Sequence, residues 1–136
     1  MSDAAVRGFE LFTGKANCSS CHEGWRLTDD SFHDIGLPDA DVGRGAHFES
    51  IVVMQHAFKT PGLRNITQRA PYMHNGSIAT LTEVVVHYNS GGVDRDSRSE
   101  EIFPLGLNDA EIADIVAFLE TLTSEDEPVT VPVLPH

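Results

Sequence analysis

The chain has 136 residues, 40% of them hydrophobic, with nine Lys and Arg against 21 Asp and Glu and a formal charge of −12. That length encloses one core rather than two, and the apolar share, with a mean hydropathy of −0.17, suits a water-borne globule and excludes a wholly disordered chain. The charge repels phosphate-rich ligands, so no nucleic-acid partner is expected, and no run approaches the roughly 20 apolar residues of a membrane span.

In chain order, residues 1–6 lack the basic start and apolar run of a secretory signal. Val6, Phe9 and Phe12 recur every third residue before Gly14, which predicts a short amphipathic helix stopped by a glycine. Cysteines follow at once, at Cys18 and Cys21. Residues 23–62 are rich in Gly, Asp and His without a sustained period and read as loops wrapped around something that supplies their missing core.

Thr80 and Glu83 form the pattern of a capping box, after which Leu81, Val84, Val85 and Tyr88 share one helical face until Gly91 and Gly92. Tyr88 therefore points inward. Residues 93–101 are polar and charged and are expected to form an exposed loop. Asn108 and Glu111 repeat the capping pattern, and Ile112, Ile115, Val116, Leu119 and Leu122 make an apolar stripe. One domain is thus expected over residues 1–123. The tail, 124–136, combines an acidic run with Pro128, Pro132 and Pro135 and is expected as an extended arm.

The chemistry is carried by Cys18-Ser19-Ser20-Cys21-His22. Two thiols one turn apart can each add to a vinyl group of haem, and the next residue, His22, then reaches the iron. Zinc would want two further soft ligands where no other cysteine exists. A redox dithiol would want a βαβ context. Two buried cysteines would leave the adjacent histidine a coincidence. One covalent haem c is therefore the predicted cofactor, in a mainly α, cytochrome c-like fold with long irregular loops around one haem. The first and last helices are expected to pack beside it, Phe9 and Phe12 against Ile115 and Leu119.

Further segments carry a family resemblance: Gly8-Phe9-Glu10-Leu11-Phe12, Leu27-Thr28-Asp29, Phe32-His33-Asp34-Ile35-Gly36-Leu37, Phe58-Lys59-Thr60-Pro61-Gly62-Leu63-Arg64-Asn65, Ala70-Pro71-Tyr72-Met73-His74-Asn75-Gly76-Ser77 and the helix over residues 112–122. In that order they resemble the C-terminal haem domain of bacterial dihaem cytochrome c peroxidases and their MauG relatives. Those enzymes carry two Cys-X-X-Cys-His motifs and this chain has one, so the resemblance is to the half that accepts electrons and relays them. It implies a calcium ion between domains, held in part by the carbonyls of Arg69 and Pro71, a site expected to be incomplete or empty without the other domain.

The second axial position decides between electron transfer and chemistry at the iron. Counting from Pro71, the resemblance places the distal ligand at Tyr88, which the helix periodicity also turns inward; the alternative is a core tyrosine bonded elsewhere. Met73 and Met54 are the runners-up as thioether donors, each equally readable as core filling. His47 is weaker, and His87 is expected on the solvated side of its helix. Lys59 and Arg64 are candidates to pair with haem propionates, or are plain surface charges. His33 and His74 are expected to brace loops, and Trp25 to pack at the haem edge.

The expected function is an electron-transfer domain; the alternative is a peroxide-using haem enzyme, alone or with a second haem domain, which needs a vacant sixth position. A redox protein is the expected partner. A basic one matches the charge, and a solvated acidic surface with no partner accounts for it equally. Because haem is joined to this motif outside the bacterial inner membrane, the expected location is the periplasm, the chain being a mature form or an excised domain with an added Met1.

Overall fold

Three α-helices, a short antiparallel ladder and intervening 3-10 turns make up residues 1–125, the part described by a computed structural model of the protein. Helix α1 spans Asp3–Thr13. The Ser2 hydroxyl accepts from the Ala5 amide at 3.2 Å and Asp3 puts negative charge in the first turn, where the peptide dipoles favour it. The buried face is Ala5, Gly8 and Phe12, whereas Val6 and Phe9 of the predicted stripe are 44% and 47% exposed. Gly8 explains the difference. A Cβ there would stand 1.9 Å from the carbonyl oxygen of Asp114, so the backbones touch and the smallest residue, not the largest, sets the contact face.

The opposing helix, α3, spans Asp109–Glu120. Asn108 Oδ1 accepts from the Glu111 amide at 3.0 Å and Glu111 Oε2 from the Asn108 amide at 2.9 Å, the reciprocal cap that the spacing predicts. Ile112, Ile115, Phe118 and Leu119 are buried. Phe118, absent from the predicted stripe, is the aromatic centre of the crossing: its ring lies 5.3 Å from Phe9 and 5.1 Å from Phe12, centroid to centroid. Phe12 also shares the core with Ile115 and Leu119, as expected. At the rim Arg7 donates twice to the Asp114 carboxylate, at 2.7 and 2.8 Å.

Helix α2 spans Leu81–Ser90, with Thr80 and Glu83 forming the predicted box. Leu81 and Val85 enter the same core as Ile112 and Ile115. The helix stops at Gly91, whose φ of +80° and close approach to Pro104 both exclude a side chain.

The rest is loop. Strands β1 (Phe32–His33) and β2 (Phe58–Lys59) pair antiparallel, Phe32 opposite Lys59 and His33 opposite Phe58. Behind them the Asp34 carboxylate, 1% exposed as a residue, accepts from Arg95 Nε and Nη2 at 2.7 and 2.6 Å, from Ser97 Oγ at 2.7 Å and from the Gly36 amide at 2.9 Å. Residues 93–101 are therefore not the free exposed loop that their composition suggests, because a buried carboxylate needs a cation and donors and this segment supplies them. Ser124 is tied by its amide to Asn65 Oδ1 at 3.0 Å, while the remainder of the expected arm, 126–136, lies outside the described residues. No helix among them is long and apolar enough to cross a membrane.

Candidate functional site

Between the helical crossing and the loops lies a cavity of about 650 Å³, walled mainly by apolar side chains, within the ~300–1,000 Å³ usual for bound cofactors. Phe12, Ile115 and Leu119 come to it from α1 and α3, Val84, Val85 and Tyr88 from α2, and Cys18, Cys21 and His22 from the turn after α1. A core with such a gap loses contacts on every wall unless something fills it.

The cysteines sit on a 3-10 turn, Cys18–Ser20, entered through Asn17 in the left-handed region at φ +52°. Both are free thiols. Burial pushes the Cys18 thiol up to about 12 and raises that of Cys21 as well. Among the described residues Cys21 belongs to one potential ligand group: its sulfur, an Asp29 oxygen and a His33 nitrogen lie within 4.8 Å of one another. Asp29 and His33 are already bonded to each other at 2.7 Å, and Cys18 stands apart from them.

His22 is held from behind. Its Nδ1–H donates to the Leu27 carbonyl at 2.9 Å, which Leu27 presents from a backbone φ of +55°. That bond fixes the tautomer and leaves Nε2 with its lone pair. Burial lowers the His22 pKa, with the Leu27 carbonyl working in the opposite direction, so the ring is neutral and in ligating form at pH 7.

Tyr88 opens onto the same cavity. Burial, followed by the neighbouring thiols of Cys18 and Cys21, raises its pKa. Its hydroxyl is absent from the hydrogen bonds among the described residues and opens on the cavity. The donor set fits haem c: two thiols at vinyl spacing, a neutral imidazole with its second nitrogen anchored, an apolar wall and an unclaimed oxygen donor.

Met73 also lines the cavity, from a backbone φ of +70°. Met54 does not; it belongs to the turn Val52–Met54. His47 lines a separate surface pocket with Phe32, Arg44 and Phe48. His87 is not on a solvated side: half-buried, its Nε2–H donates to the Ile35 carbonyl at 2.9 Å, an acceptor 52 residues away that helix periodicity does not reveal. Lys59 and Arg64 are at the cavity wall, the first bonded to Asp30 at 2.5 Å, the second donating twice to the Trp25 carbonyl, at 2.9 and 2.8 Å. Trp25 itself departs from the expected haem-edge packing, being 78% exposed and outside the cavity wall.

His33 and His74 both line the cavity. The His74 ring stacks on Phe58 at 3.5 Å between centroids and its Nε2 meets Asp39 at 3.1 Å. Arg69 and Pro71, the residues whose carbonyls the resemblance assigns to calcium, are part of the wall. Sequence reasoning missed Arg26 and Arg95, which also line it; the signal for Arg95 was Asp34, a lone acid inside an apolar stretch that demanded a cation from elsewhere.

The family model for cytochrome c matches residues 5–123. Over 133 residues the chain is 51% identical to the methylamine utilization protein MauG of Methylorubrum extorquens, a match covering 96% of this chain and 38% of that protein. It is 36% identical over 154 residues to the cytochrome-c peroxidase IdrP1 of Denitromonas iodatirespirans, covering 90% of this chain and 41% of the relative. Among solved structures, a MauG-like protein associated with microbial copper homeostasis superposes with a TM-score of 0.81 at 34% identity, over 92% of this chain and 48% of that one. The chain thus spans about two fifths of the length of the curated relatives it matches.

Proposed function

From a chain that belongs to the cytochrome c family, we propose an electron-transfer domain in which His22 and Tyr88 are the two axial ligands of a single haem c. Haem joined to Cys18 and Cys21 supplies an iron that cycles between ferric and ferrous. The observation that carries the reading is the Tyr88 hydroxyl, left without a hydrogen-bond partner among the described residues in a cavity that His22 also lines. His22 binds through Nε2 because Leu27 holds Nδ1. Bound to ferric iron, Tyr88 would act as the phenolate, its proton released to solvent; burial resists that ionisation in the free protein. An anionic oxygen favours the ferric state, so the reduction potential is low.

Lys59 and Arg64 provide cations at the wall for the haem carboxylates, Arg64 the more freely because its acceptor is a carbonyl rather than an acid. With His22 and Tyr88 both held to the iron, no position would remain for peroxide, and a redox protein would be the partner. Maturation of this motif places the domain in the periplasm. A second haem domain accompanying this one, as in MauG-type relatives, belongs to the same reading.

The test is the exported, matured protein. A pyridine haemochrome of one haem per chain, with a low-spin ferric spectrum inert to cyanide and peroxide, is expected. A high-spin haem reacting rapidly with peroxide overturns electron transfer in favour of a peroxidase, and a Tyr88→Phe protein with unchanged optical and magnetic spectra removes Tyr88 from the iron.

A further inference from the structure

Taking Tyr88 as an axial ligand, the residues on either side of it acquire a role. His87 Nε2–H donates to the Ile35 carbonyl at 2.9 Å. Asn89 is bound more fully: its Nδ2 donates to the Leu107 carbonyl at 3.0 Å, its Oδ1 accepts from the Leu107 amide at 2.8 Å, and its own carbonyl accepts from the Leu105 amide at 3.1 Å. The last turn of α2 is thus gripped from two loops far apart in sequence. Neither loop is slack where it holds. The Gly36 carbonyl, next to Ile35, accepts from the Val93 amide at 2.8 Å, and Asp34 beside it carries the Arg95 and Ser97 bonds.

This grip falls where a helix is weakest, since the final carbonyls have no partner within the helix and the end frays. Among the described residues nothing in the hydroxyl's own bonding holds Tyr88, and a competing donor is at hand. Met73 opens onto the same cavity, and a thioether is a common partner of haem iron opposite histidine.

We propose that His87 and Asn89 are positioning residues that hold the Tyr88 oxygen, rather than the Met73 sulfur, at the sixth coordination position. The selection works by denying the end of α2 the freedom to move away, which would cede the place to methionine. The role rests on the axial assignment of Tyr88, and the experiment separates the two.

The matured holoprotein and its variants are compared by ferric optical and magnetic spectra, midpoint potential and haem content. In Asn89→Ala and His87→Ala the phenolate signature is expected to fall to roughly half or less, with a rise in potential, and Met73→Leu added to Asn89→Ala converts the displaced fraction to high spin. Asn89→Asp, which keeps the acceptor for the Leu107 amide and loses the donor, is expected to lie between parent and Asn89→Ala; His87→Gln, which keeps a donor for Ile35, restores the parent spectrum. Alanine variants with parental haem content, spectra and potential overturn the positioning role alone. If they do not accumulate with haem, Asn89→Asp decides, and a parental spectrum there overturns it. A Tyr88→Phe protein that keeps the parental spectrum overturns the axial assignment and the positioning role together.

Discussion

The helical crossing and the loop region are held by different forces. Between α1 and α3, contact is continuous: backbone meets backbone at Gly8, three phenylalanine rings pack at tilted angles beside it, and the apolar cluster runs on into α2. Residues 23–79 contain one two-residue ladder and a few turns, and their order comes from single polar pins such as Asp34 with Arg95, Arg64 with Trp25, and His74 with Asp39. Dispersion and burial are summed over many atoms and tolerate the loss of one. A pin does not, because removing one partner strands the other.

The largest expected effect is therefore in the loops. Asp34→Ala leaves the Arg95 guanidinium without its carboxylate and is expected to cost about 3–5 kcal/mol, measured by denaturant unfolding, with amide protection lost first around residues 32–37 and 93–101. Equal loss across α1 and α3 would break the division into two regions. Acid acts on the same pin. Burial raises the Asp34 pKa, but the bonds from Arg95, Ser97 and Gly36 outweigh it and hold the carboxyl below its ordinary value. The stabilisation is complete above the unfolded value of ~3.9 and disappears as pH falls through the lower folded one. Asp34→Asn is expected to flatten that acid limb.

Next in size is Gly8→Ala, which drives a methyl into the Asp114 carbonyl and is expected to cost about 3 kcal/mol. Here exchange should quicken in α1 and α3 while the Asp34 loops keep their protection, the mirror image of the first result. The smallest is Thr80→Ala, which removes the cap of α2 at about 1 kcal/mol. Its readout is local fraying at residues 81–84, and no change there would show that the helix is held from its other end alone.

What was legible in the sequence was what repeats or is local. Both capping boxes are spelled by residues three apart, and the haem motif lies within five positions. The inward face of α2 follows from helix periodicity because one stripe faces one core. The contact face of α1 did not, because apolar periodicity marks large residues and the crossing was fixed by the smallest one, Gly8. The loops were opaque for a different reason. Asp34 and Arg95 are 61 residues apart and His87 and Ile35 are 52 apart, and no local rule links partners that only the folded chain brings together. Trp25 escaped because proximity to a motif in sequence says nothing of which way an indole points from a turn.

Phe12 belongs to both regions. Its ring lies 5.1 Å from Phe118 in the crossing and 6.5 Å from the His22 imidazole at the cavity. A lever with one arm in the interior and the other against the imidazole proposed to bind iron would make the electronic properties of that centre answer to substitutions remote from it. Trimming Phe118 would then be felt as a change in redox tuning, although that side chain stands a whole ring away from the imidazole.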